Sequence, residues 1–380
     1  MSTIKVDGIR SNSATSDAIT LADNGTCTAN ITNNLSNRNL IINGAMQVAQ
    51  RGASSASSSY QTVDRIMHTG AGWDEAMTQS QSDVASGTTP YTLGFRKAFK
   101  VQNGNQTSVG GTDTIKIEYK FEAQDLANSG WNYVSSSSNI TLSFWVKSSV
   151  AQSFKFSFIT WDGTARMFPM DTGTLSANTW TKITKTIPGA SGITINNDNG
   201  LGAQINFFQY LGTDYTGSVT ENAWNSYGNP QTLSQTSTWY TTNDATFEIT
   251  GLQLEVGSTT TDFEHRSFGQ ELALCQRYFQ LLKVSDAVGS GSNISFSASL
   301  FCPMRATPSL SKTSGNFNFG DMISQSATSS SSPTIDGGYI NQDVKVSGYI
   351  GGFSGLTNYR SYRHEPSGSN NALLTASAEL

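Results

Sequence analysis

The sequence has 380 residues, of which 36% are hydrophobic and 13% are charged, and its net charge is −5. Both fractions are low for a globular enzyme. The acidic balance argues against binding to a nucleic-acid backbone, which requires clustered Lys and Arg. No run of about 18 apolar residues predicts a membrane span. We therefore expect neither nucleic acid nor membrane insertion, and the 10% of aromatic residues provides material for a packed core.

Residues 1–38 are polar, with a few short apolar positions. Ile4 and Val6, and likewise Ile19 and Leu21, alternate with polar residues as they would in β-strands. Such short spans cannot bury a core of their own and need support from a neighbouring chain or a docking site. We interpret residues 1–38 as an N-terminal extended attachment arm, and an unstructured N-terminus is the alternative.

Residues 39–264 read as one β domain. Period-two alternation places Leu142 and Phe144 on one face of one strand, and Phe154 and Phe156 on one face of the next. Turn-rich gaps without helices predict an all-β, antiparallel jelly-roll or β-sandwich. The candidate strands span residues 114–119, 140–147, 153–158, 180–187, 204–208 and 246–256.

A single α-helix is predicted over residues 265–282. Ser267 followed by Gln270 forms a capping-box pattern. Apolar residues then recur at spacings of four and three, which favours a helix packed on a sheet over three helices meeting on a threefold axis. These residues are Phe268, Leu272, Cys275, Phe279 and Leu282.

A second, smaller β domain is predicted over residues 283–380. Apolar and polar residues alternate at 294–300 and again at 343–350. A serine-rich, low-complexity stretch separates these two candidate strands. The predicted order is therefore arm, jelly roll, helix and C-terminal β domain.

No catalytic motif is present, so we predict no catalytic residue, no metal ligand and no cofactor. The three cysteines, Cys27, Cys275 and Cys302, have neither metal-ligand spacing nor a disulfide pattern, and we expect Cys275 to be buried. A glycosidase needs only two carboxylates beside a cleft, so this activity is the alternative. The available carboxylates are Asp162, Asp171, Glu118 and Glu122.

Two loop-like segments carry the residues expected of a sugar site. An aromatic face covers the C–H patch of a sugar while polar groups bind its hydroxyls. Trp224 with Tyr227 is the first candidate pair, and Trp239 with Tyr240 is the second. The alternative is that these aromatic residues close one end of the sandwich core, because Trp is usually buried.

Two charged segments are predicted to serve structure. We expect Asp64-Arg65 to be structural, and Arg266 with Glu264 to fix the junction between strand and helix through charge-assisted hydrogen bonds. A solvated charge cluster is the alternative for the junction. The oxygen-rich run at residues 196–200 ends in Asn-Gly, which predicts a tight hairpin rather than a calcium loop.

Several stretches resemble bacteriophage tail-fibre and tail-appendage proteins that carry a carbohydrate-binding-module-like jelly roll. The likeness covers about residues 39–310 and is strongest at 250–280. The stretches that carry it are NLIINGAMQVAQRG at 39–52 with VDR at 63–65, LSFWVKS at 142–148 with WTK at 180–182, QLEVG at 253–257 with FEHRSFGQELALCQRYF at 263–279, and MRATP at 304–308.

The resemblance implies a non-enzymatic structural protein of the virion, working as a homotrimer in host attachment. Residues 1–38 would then bind other tail proteins, and the β domains would recognise a host cell-surface glycan as receptor. The absence of an export signal and of a disulfide framework fits assembly in the bacterial cytoplasm. The alternatives are a tailspike-type polysaccharide depolymerase and a purely architectural or head-surface fibre protein.

Overall fold

The computed structural model describes residues 6–13, 15, 17–21, 23, 27–29, 37–284, 286–330, 334–341, 345–365 and 371–380. Within these residues the chain consists of antiparallel β-sheets with a few short helices. The predicted all-β fold class is therefore confirmed.

The N-terminal segment forms a small sheet of its own. It contains β1 (Gly8–Ile9), β2 (Ile19–Leu21) and β3 (Cys27–Ala29). The strand expected at Ile19–Leu21 is present, and Ile4 lies outside the described residues. Ile9 and Leu21 remain 53% and 39% exposed. A sheet of this size leaves its apolar side chains without cover from this chain.

The main domain is a sandwich of two six-stranded sheets. Hydrogen bonding gives a first sheet in the order β14-β11-β10-β13-β8-β5 and a second sheet in the order β12-β9-β15-β7-β6-β4. The strands are β4 (Ser54–Ser55), β5 (Ile66–Ala71), β6 (Thr78–Asp83), β7 (Lys97–Gln102), β8 (Thr114–Glu122), β9 (Asn139–Ser148), β10 (Ser153–Thr160), β11 (Arg166–Thr174), β12 (Thr181–Pro188), β13 (Leu201–Leu211), β14 (Asn225–Ser226) and β15 (Thr246–Val256). Short helices α1 (Thr89–Thr92), α2 (Ala123–Ala127) and α3 (Thr238–Thr241) lie in the connections.

The sandwich core consists of the aromatic and aliphatic faces that the alternation predicts. Phe144 of the second sheet packs edge-on against Phe156 and Phe207 of the first sheet, at centroid distances of 5.3 and 5.0 Å. All three side chains are at most 2% exposed. Edge-to-face packing of this kind is favourable beyond the apolar area that it buries. The two sheets are therefore held together by interlocking rings.

Helix α4 (Phe268–Gln276) begins where the sequence predicts. The Ser267 hydroxyl accepts the Gln270 N–H at 3.3 Å, and the Gln270 side chain accepts the Ser267 N–H at 3.0 Å. The predicted extension to residue 282 is wrong, because Phe279–Leu282 is strand β16 and pairs with a strand formed by Leu374–Ser377. Two turns of helical spacing are a weak signal, and pairing with a distant strand outweighs it.

The C-terminal region contains two further sheets around a second core. Their orders are β16-β25-β19 and β21-β20-β24-β17-β18-β23-β22. The core includes Ile294, Phe296, Phe317 and Val346, each fully or almost fully buried. The strands are β16 (Phe279–Leu282), β17 (Asp286–Ser290), β18 (Asn293–Ser299), β19 (Ser309–Lys312), β20 (Phe317–Asp321), β21 (Ala327–Ser330), β22 (Ile335–Asn341), β23 (Lys345–Ile350), β24 (Ser361–His364) and β25 (Leu374–Ser377).

A buried arginine joins the sandwich to the C-terminal region. Arg65 is 1% exposed, and its guanidinium carbon lies 3.5 Å from the centroid of the Tyr278 ring. The Glu379 carboxylate pairs with Arg65 and also with Arg51, the latter at 3.0 Å. Arg51 in turn lies 3.4 Å from Asp64. Asp64-Arg65 therefore has the structural position that the sequence predicts, and we call this group of side chains the arginine joint.

Arg266 fixes the junction that leads into α4. Its guanidinium donates to the carbonyl oxygens of Asn39 and, at 3.1 Å, of Ile41, and it lies 3.5 Å from both Glu264 and Glu271. The Arg266 side chain is only 13% exposed, so these bonds are shielded from water. The predicted junction is confirmed and also reaches back to the start of the domain.

The prediction of a hairpin at residues 196–200 is wrong. Strands β12 and β13 flank this segment, but they lie in different sheets and do not pair. The segment is a crossover between the two layers, in which the Asp198 carboxylate accepts the Gly200 N–H at 2.9 Å. An Asn-Gly step fits a turn within a crossover as well as a turn within a hairpin, so local sequence does not separate the two.

We predict that Arg266→Ala lowers the free energy of unfolding by about 1.5–3 kcal/mol, the range for a lost charged hydrogen bond. Urea unfolding followed by tryptophan fluorescence measures this change. Lys97→Ala is the control, because its pair with Asp83 is exposed and should contribute at most about 1 kcal/mol. Equal effects of the two substitutions would contradict the proposed role of Arg266.

We predict that Glu379→Gln destabilises the protein by about 3–5 kcal/mol, because it leaves the buried charge of Arg65 without its carboxylate. Adding Arg65→Met to this variant should restore part of the loss, since no uncompensated buried charge remains. Urea unfolding of both variants and of wild type tests the effect. A double variant that is less stable than Glu379→Gln alone would show that packing, not charge, dominates the joint.

We predict that stability falls as the pH is lowered from 6.5 to 4 through His68. Burial lowers the pKa of His68 to about 4, so the unfolded chain takes up a proton in this window and the folded chain does not. The loss is about 3 kcal/mol. His68→Phe should remove this dependence, as measured by urea unfolding at several pH values.

Wild type and His68→Phe must be compared at each pH, because a second group titrates in the same window. Burial raises the pKa of Asp64 to about 6, so the folded state binds that proton first and Asp64 stabilises the protein as the pH falls. Asp64 is present in both proteins, and the difference between the two curves isolates His68. Curves that run parallel from pH 6.5 to 4 would rule out the assignment.

Candidate functional site

The outer face of the first sheet carries a row of polar side chains. Because Phe156 and Phe158 point into the core, Ser157 points to the opposite face. Ser157 lies opposite Asn206 in the strand register, and Gln204 lies two residues before Asn206 on the same face. We call Ser157, Gln204 and Asn206 the polar floor. All three are at most 5% exposed, so the floor lies beneath its neighbouring side chains.

Two aromatic rings stand at one end of the polar floor. Trp161 follows β10, and Tyr227 follows β14; their centroids are 4.7 Å apart in an edge-to-face arrangement. Tyr227 is 39% exposed and Trp161 is half-buried. We call this pair the aromatic ledge. Trp161 Nε1 donates to the Gln204 side-chain oxygen at 3.2 Å, and the Gln204 amide donates to Asn206 at 2.5 Å. The ledge is therefore tied to the floor.

A charged group lies at the other end of the same face. Lys155 bridges Asp171 at 2.6 Å and Glu221 at 2.8 Å. Burial alone would lower the pKa of Lys155, but hydrogen bonds to the two carboxylates outweigh it and hold the pKa above its ordinary value. The lysine is thus a fixed cation, and its carboxylates are committed to it.

The aromatic ledge, not the polar floor, is the part of this face that a ligand can reach. The rings offer partly exposed aromatic surface. The floor is at most 5% exposed and positions the ledge through the hydrogen bond from Trp161 to Gln204. The Ser157 hydroxyl is buried and has no hydrogen-bond partner among the described residues. A buried polar group without a partner is costly unless a ligand or water satisfies it. The accessible part of this face, the ledge, can therefore bind a ligand by stacking.

Trp239 and Tyr240, predicted as a glycan site, lie inside the core. They are 0% and 1% exposed, in helix α3. The Trp239 indole donates to the Thr246 carbonyl at 3.0 Å, and the Tyr240 hydroxyl donates to Asp113 at 2.9 Å. Rings buried in this way cannot present a face to a sugar. The prediction for this pair is wrong, and the alternative, closure of the core, is correct.

Trp224 and Tyr227 do not form the single platform that the sequence suggests. They are three residues apart along an edge segment, so they point to opposite faces of the sheet. Trp224 packs against the core ring of Phe168 at 5.4 Å and donates to the Pro188 carbonyl at 2.7 Å. Trp224 therefore packs on the core and is half-buried there, while Tyr227 is 39% exposed on the opposite side.

Trp161 replaces Trp224 as the partner of Tyr227, and sequence reasoning did not single it out. The signal was present in the alternation of β10. With Phe154 and Phe158 facing inward, each odd-numbered residue from Lys155 onward faces outward, and Trp161 continues that series. Its pairing with Tyr227 depends on the distant β14, which local sequence does not specify.

A pocket of about 620 Å³ lies between the start of the domain, α2 and α4. Two of its charged side chains are committed, since Arg277 pairs with Glu122 at 2.8 Å and Arg266 serves the junction. A third, Asp125, also lines the pocket, and burial raises its pKa. No cluster of three or more metal-binding side chains occurs among the described residues. No helix in the described part of the chain has the length and hydrophobicity needed to span a membrane.

No known protein family matches the sequence, and no curated protein matches it either. Solved structures show only distant likeness. The enzymatically active domain of bacteriophage CBA120 tailspike protein 4 is 12% identical with a TM-score of 0.30, and the match covers 58% of this chain and 21% of that chain. This chain thus spans about a fifth of the tailspike chain.

Two sugar-related structures show likeness at the same level. A putative sugar-binding protein from Bacteroides thetaiotaomicron is 10% identical with a TM-score of 0.31, covering 58% of this chain and 100% of that chain. The N-terminal cellulose-binding domain of Cellulomonas fimi β-1,4-glucanase C is 9% identical with a TM-score of 0.28, covering 56% and 99%. Likeness this low carries no argument about function, and the fold rests on the strand pairing itself.

Proposed function

We propose that this protein is a non-enzymatic component of a bacteriophage virion, a tail fibre or receptor-binding appendage, that recognises host-surface glycan. The observation that carries the glycan proposal is the aromatic ledge of Trp161 and Tyr227, tied by hydrogen bonds to a polar floor. Partly exposed rings held in a fixed position supply the stacking surface that sugar recognition in water uses. The virion proposal is supported by the sequence resemblance to tail-appendage proteins.

The proposal that the protein binds glycan without cleaving it is supported by the state of its carboxylates. Glycosidases need a carboxylic acid with a raised pKa near a second carboxylate. Of the four carboxylates considered, Asp171 pairs with Lys155 and Glu118 pairs with Lys116. Burial would raise the pKa of Glu122, but hydrogen bonds from Arg277 and Tyr278 hold it below the ordinary value.

The remaining carboxylate, Asp162, is occupied with a neighbouring loop. It accepts hydrogen bonds from the backbone and side chain of Asn196 at 2.8 and 3.0 Å. Asp64 has a raised pKa, but its side chain is 1% exposed and lies within the arginine joint. A general acid must reach the glycosidic oxygen of its substrate. These contacts support binding over hydrolysis at these five carboxylates. Burial, and then the neighbouring Glu122, raises the pKa of Asp125, which lines the 620 Å³ pocket, so this pair is where a depolymerase activity would be sought.

Attachment to the virion is proposed for residues 1–38. The small N-terminal sheet leaves Val6, Ile9 and Leu21 exposed, as would suit a segment covered by another protein. We also propose a homotrimer, because display of three weak sugar sites raises avidity by roughly 10²–10⁴. A purely architectural role is the competing proposal, and it predicts no glycan binding by the isolated protein.

We predict that the full-length protein binds glycans of host bacteria on an array and that Trp161→Ala with Tyr227→Ala, the ledge variant, weakens this binding at least about tenfold, the scale for loss of a central aromatic contact. Tyr359→Ala is the matched control. Tyr359 is 92% exposed and belongs to the C-terminal region, so its removal should leave binding unchanged.

The same experiment separates the competing functions. A folded ledge variant that binds like wild type would remove the ledge from the proposal. Absence of binding by wild type to the polysaccharides of its host would favour the architectural role. Release of new reducing ends from those polysaccharides would overturn the proposal that the protein is not an enzyme.

A further inference from the structure

The outer face of the second sheet carries a pocket of its own. It has a volume of about 230 Å³ and lies on the opposite layer of the sandwich from the aromatic ledge. Its walls come from β9, β12, β15 and the two loops that precede β7 and α4. Prominent among its lining residues are Phe95, Trp145, Lys182, Asp262, Phe263 and His265.

Aromatic rings form the inner part of this pocket. Phe95 packs edge-on against Phe263 at 4.9 Å and tilts against His265 at 5.2 Å. Phe263 and His265 are themselves 4.9 Å apart. Trp145 points outward from β9, because its neighbours Phe144 and Val146 face the core. Phe95 is 2% exposed and belongs to a small hydrophobic cluster on which Trp145 and Phe263 pack, so the half-buried rings of Trp145 and Phe263 are the aromatic surface that the pocket presents.

Two glycines allow the aromatic rings of the pocket to pack closely against the backbone. Gly251 has φ +63°, and a Cβ built there would lie 2.7 Å from the Phe95 ring. Gly94 has φ +97°, and a Cβ there would lie 3.1 Å from the His265 ring. Any larger residue would be strained and would displace a ring. The backbone at both positions is thus shaped to the pocket.

The loop that carries Phe263 is fixed from below by a buried polar network. The Thr261 N–H and hydroxyl donate to the two Glu255 carboxylate oxygens at 2.9 and 2.7 Å. The Glu264 N–H donates to the Gln253 side-chain oxygen at 2.8 Å. Glu255 and Gln253 are at most 1% exposed. A loop held in this way presents a preformed wall, which reduces the ordering cost of binding.

The rim of the pocket carries two opposite charges. Lys182 and Asp262 are both exposed. Neither the Lys182 ammonium nor the Asp262 carboxylate forms an ion pair or side-chain hydrogen bond with any other described residue. One group donates and the other accepts, so the rim can bind hydroxyl groups in both directions.

We propose that this pocket binds a single pyranose ring, as a second glycan site that shares no residue with the aromatic ledge. The volume lies below the roughly 300–1,000 Å³ of pockets for drug-sized ligands, which suits one ring rather than an oligomer. The half-buried rings of Trp145 and Phe263 cover the C–H face of the sugar, and Lys182 with Asp262 binds its hydroxyls. Two sites on opposite layers let one molecule contact two glycan chains.

Saturation-transfer difference NMR with the methyl glycosides of glucose, galactose and N-acetylglucosamine tests the proposal. We expect at least one glycoside to bind the ledge variant as well as it binds wild type. Trp145→Ala, and separately Lys182→Ala with Asp262→Asn, should weaken that binding at least about tenfold. Tyr359→Ala is the control, because Tyr359 is 92% exposed, belongs to the C-terminal region and does not line the pocket.

The outcomes separate this site from the proposed function. Failure of all three glycosides to bind the ledge variant at ~10 mM, well above a millimolar Kd, would overturn the pocket. So would binding that survives both pocket variants. If the pocket variants abolish binding of these glycosides and the ledge variant binds host glycan like wild type, the pocket stands and the ledge fails. The substitutions at the rim are exposed, so their effect does not depend on folding.

Discussion

The burial of the Arg65 guanidinium sets the main constraint on this molecule. Arginine stays charged in any protein environment, so a chain that encloses it must surround it with acceptors and aromatic faces. Here Lys120 supplies a carbonyl oxygen at 2.6 Å, Tyr278 supplies a ring face, and Glu379 supplies the countercharge. These groups come from the sandwich, from the segment after α4 and from the last residues of the chain. The sandwich and the C-terminal region can therefore pack together only in an arrangement that gives the Arg65 guanidinium these partners.

The joint and the adjoining junction draw their residues from segments that are far apart in the sequence. The stretches at 39–52, 63–65, 263–279 and 304–308 all contribute to it or to the adjoining junction. Gln50 donates to the Phe279 carbonyl at 3.0 Å, and Arg305 donates to the Ala378 carbonyl at 2.8 Å. The Arg305 guanidinium also donates to Asn199 at 2.6 Å. These stretches thus have a structural role in connecting the two regions, and the glycan proposal rests on other residues.

Sequence predicted the parts of the fold that depend on local pattern. The strand faces around Phe144 and Phe156 follow from period-two alternation, and the start of α4 follows from the Ser267 cap. The predicted end of the helix was wrong, because residues 279–282 form β16 and pair with a strand almost a hundred residues away. The prediction that Trp239 lies in a surface loop was wrong because the segment forms the buried helix α3. The Asn103 side-chain amide donates to the Tyr240 carbonyl there at 2.6 Å. The ledge required β14 to join β11, a contact between an edge segment and a strand that no local pattern encodes.

Charge is arranged differently in the arginine joint and on the outer faces of the two sheets. This difference bears on where ligands bind. The arginine joint neutralises its charges internally and occupies one end of the domain. The outer face of the first sheet neutralises Lys155 with two carboxylates and leaves amides and rings beside them. The second sheet leaves Lys182 and Asp262 unpaired at the rim of an aromatic pocket. The arginine joint shares no residue with the aromatic ledge or with the pocket on the second sheet, so stability and the proposed recognition reside in separate sets of residues.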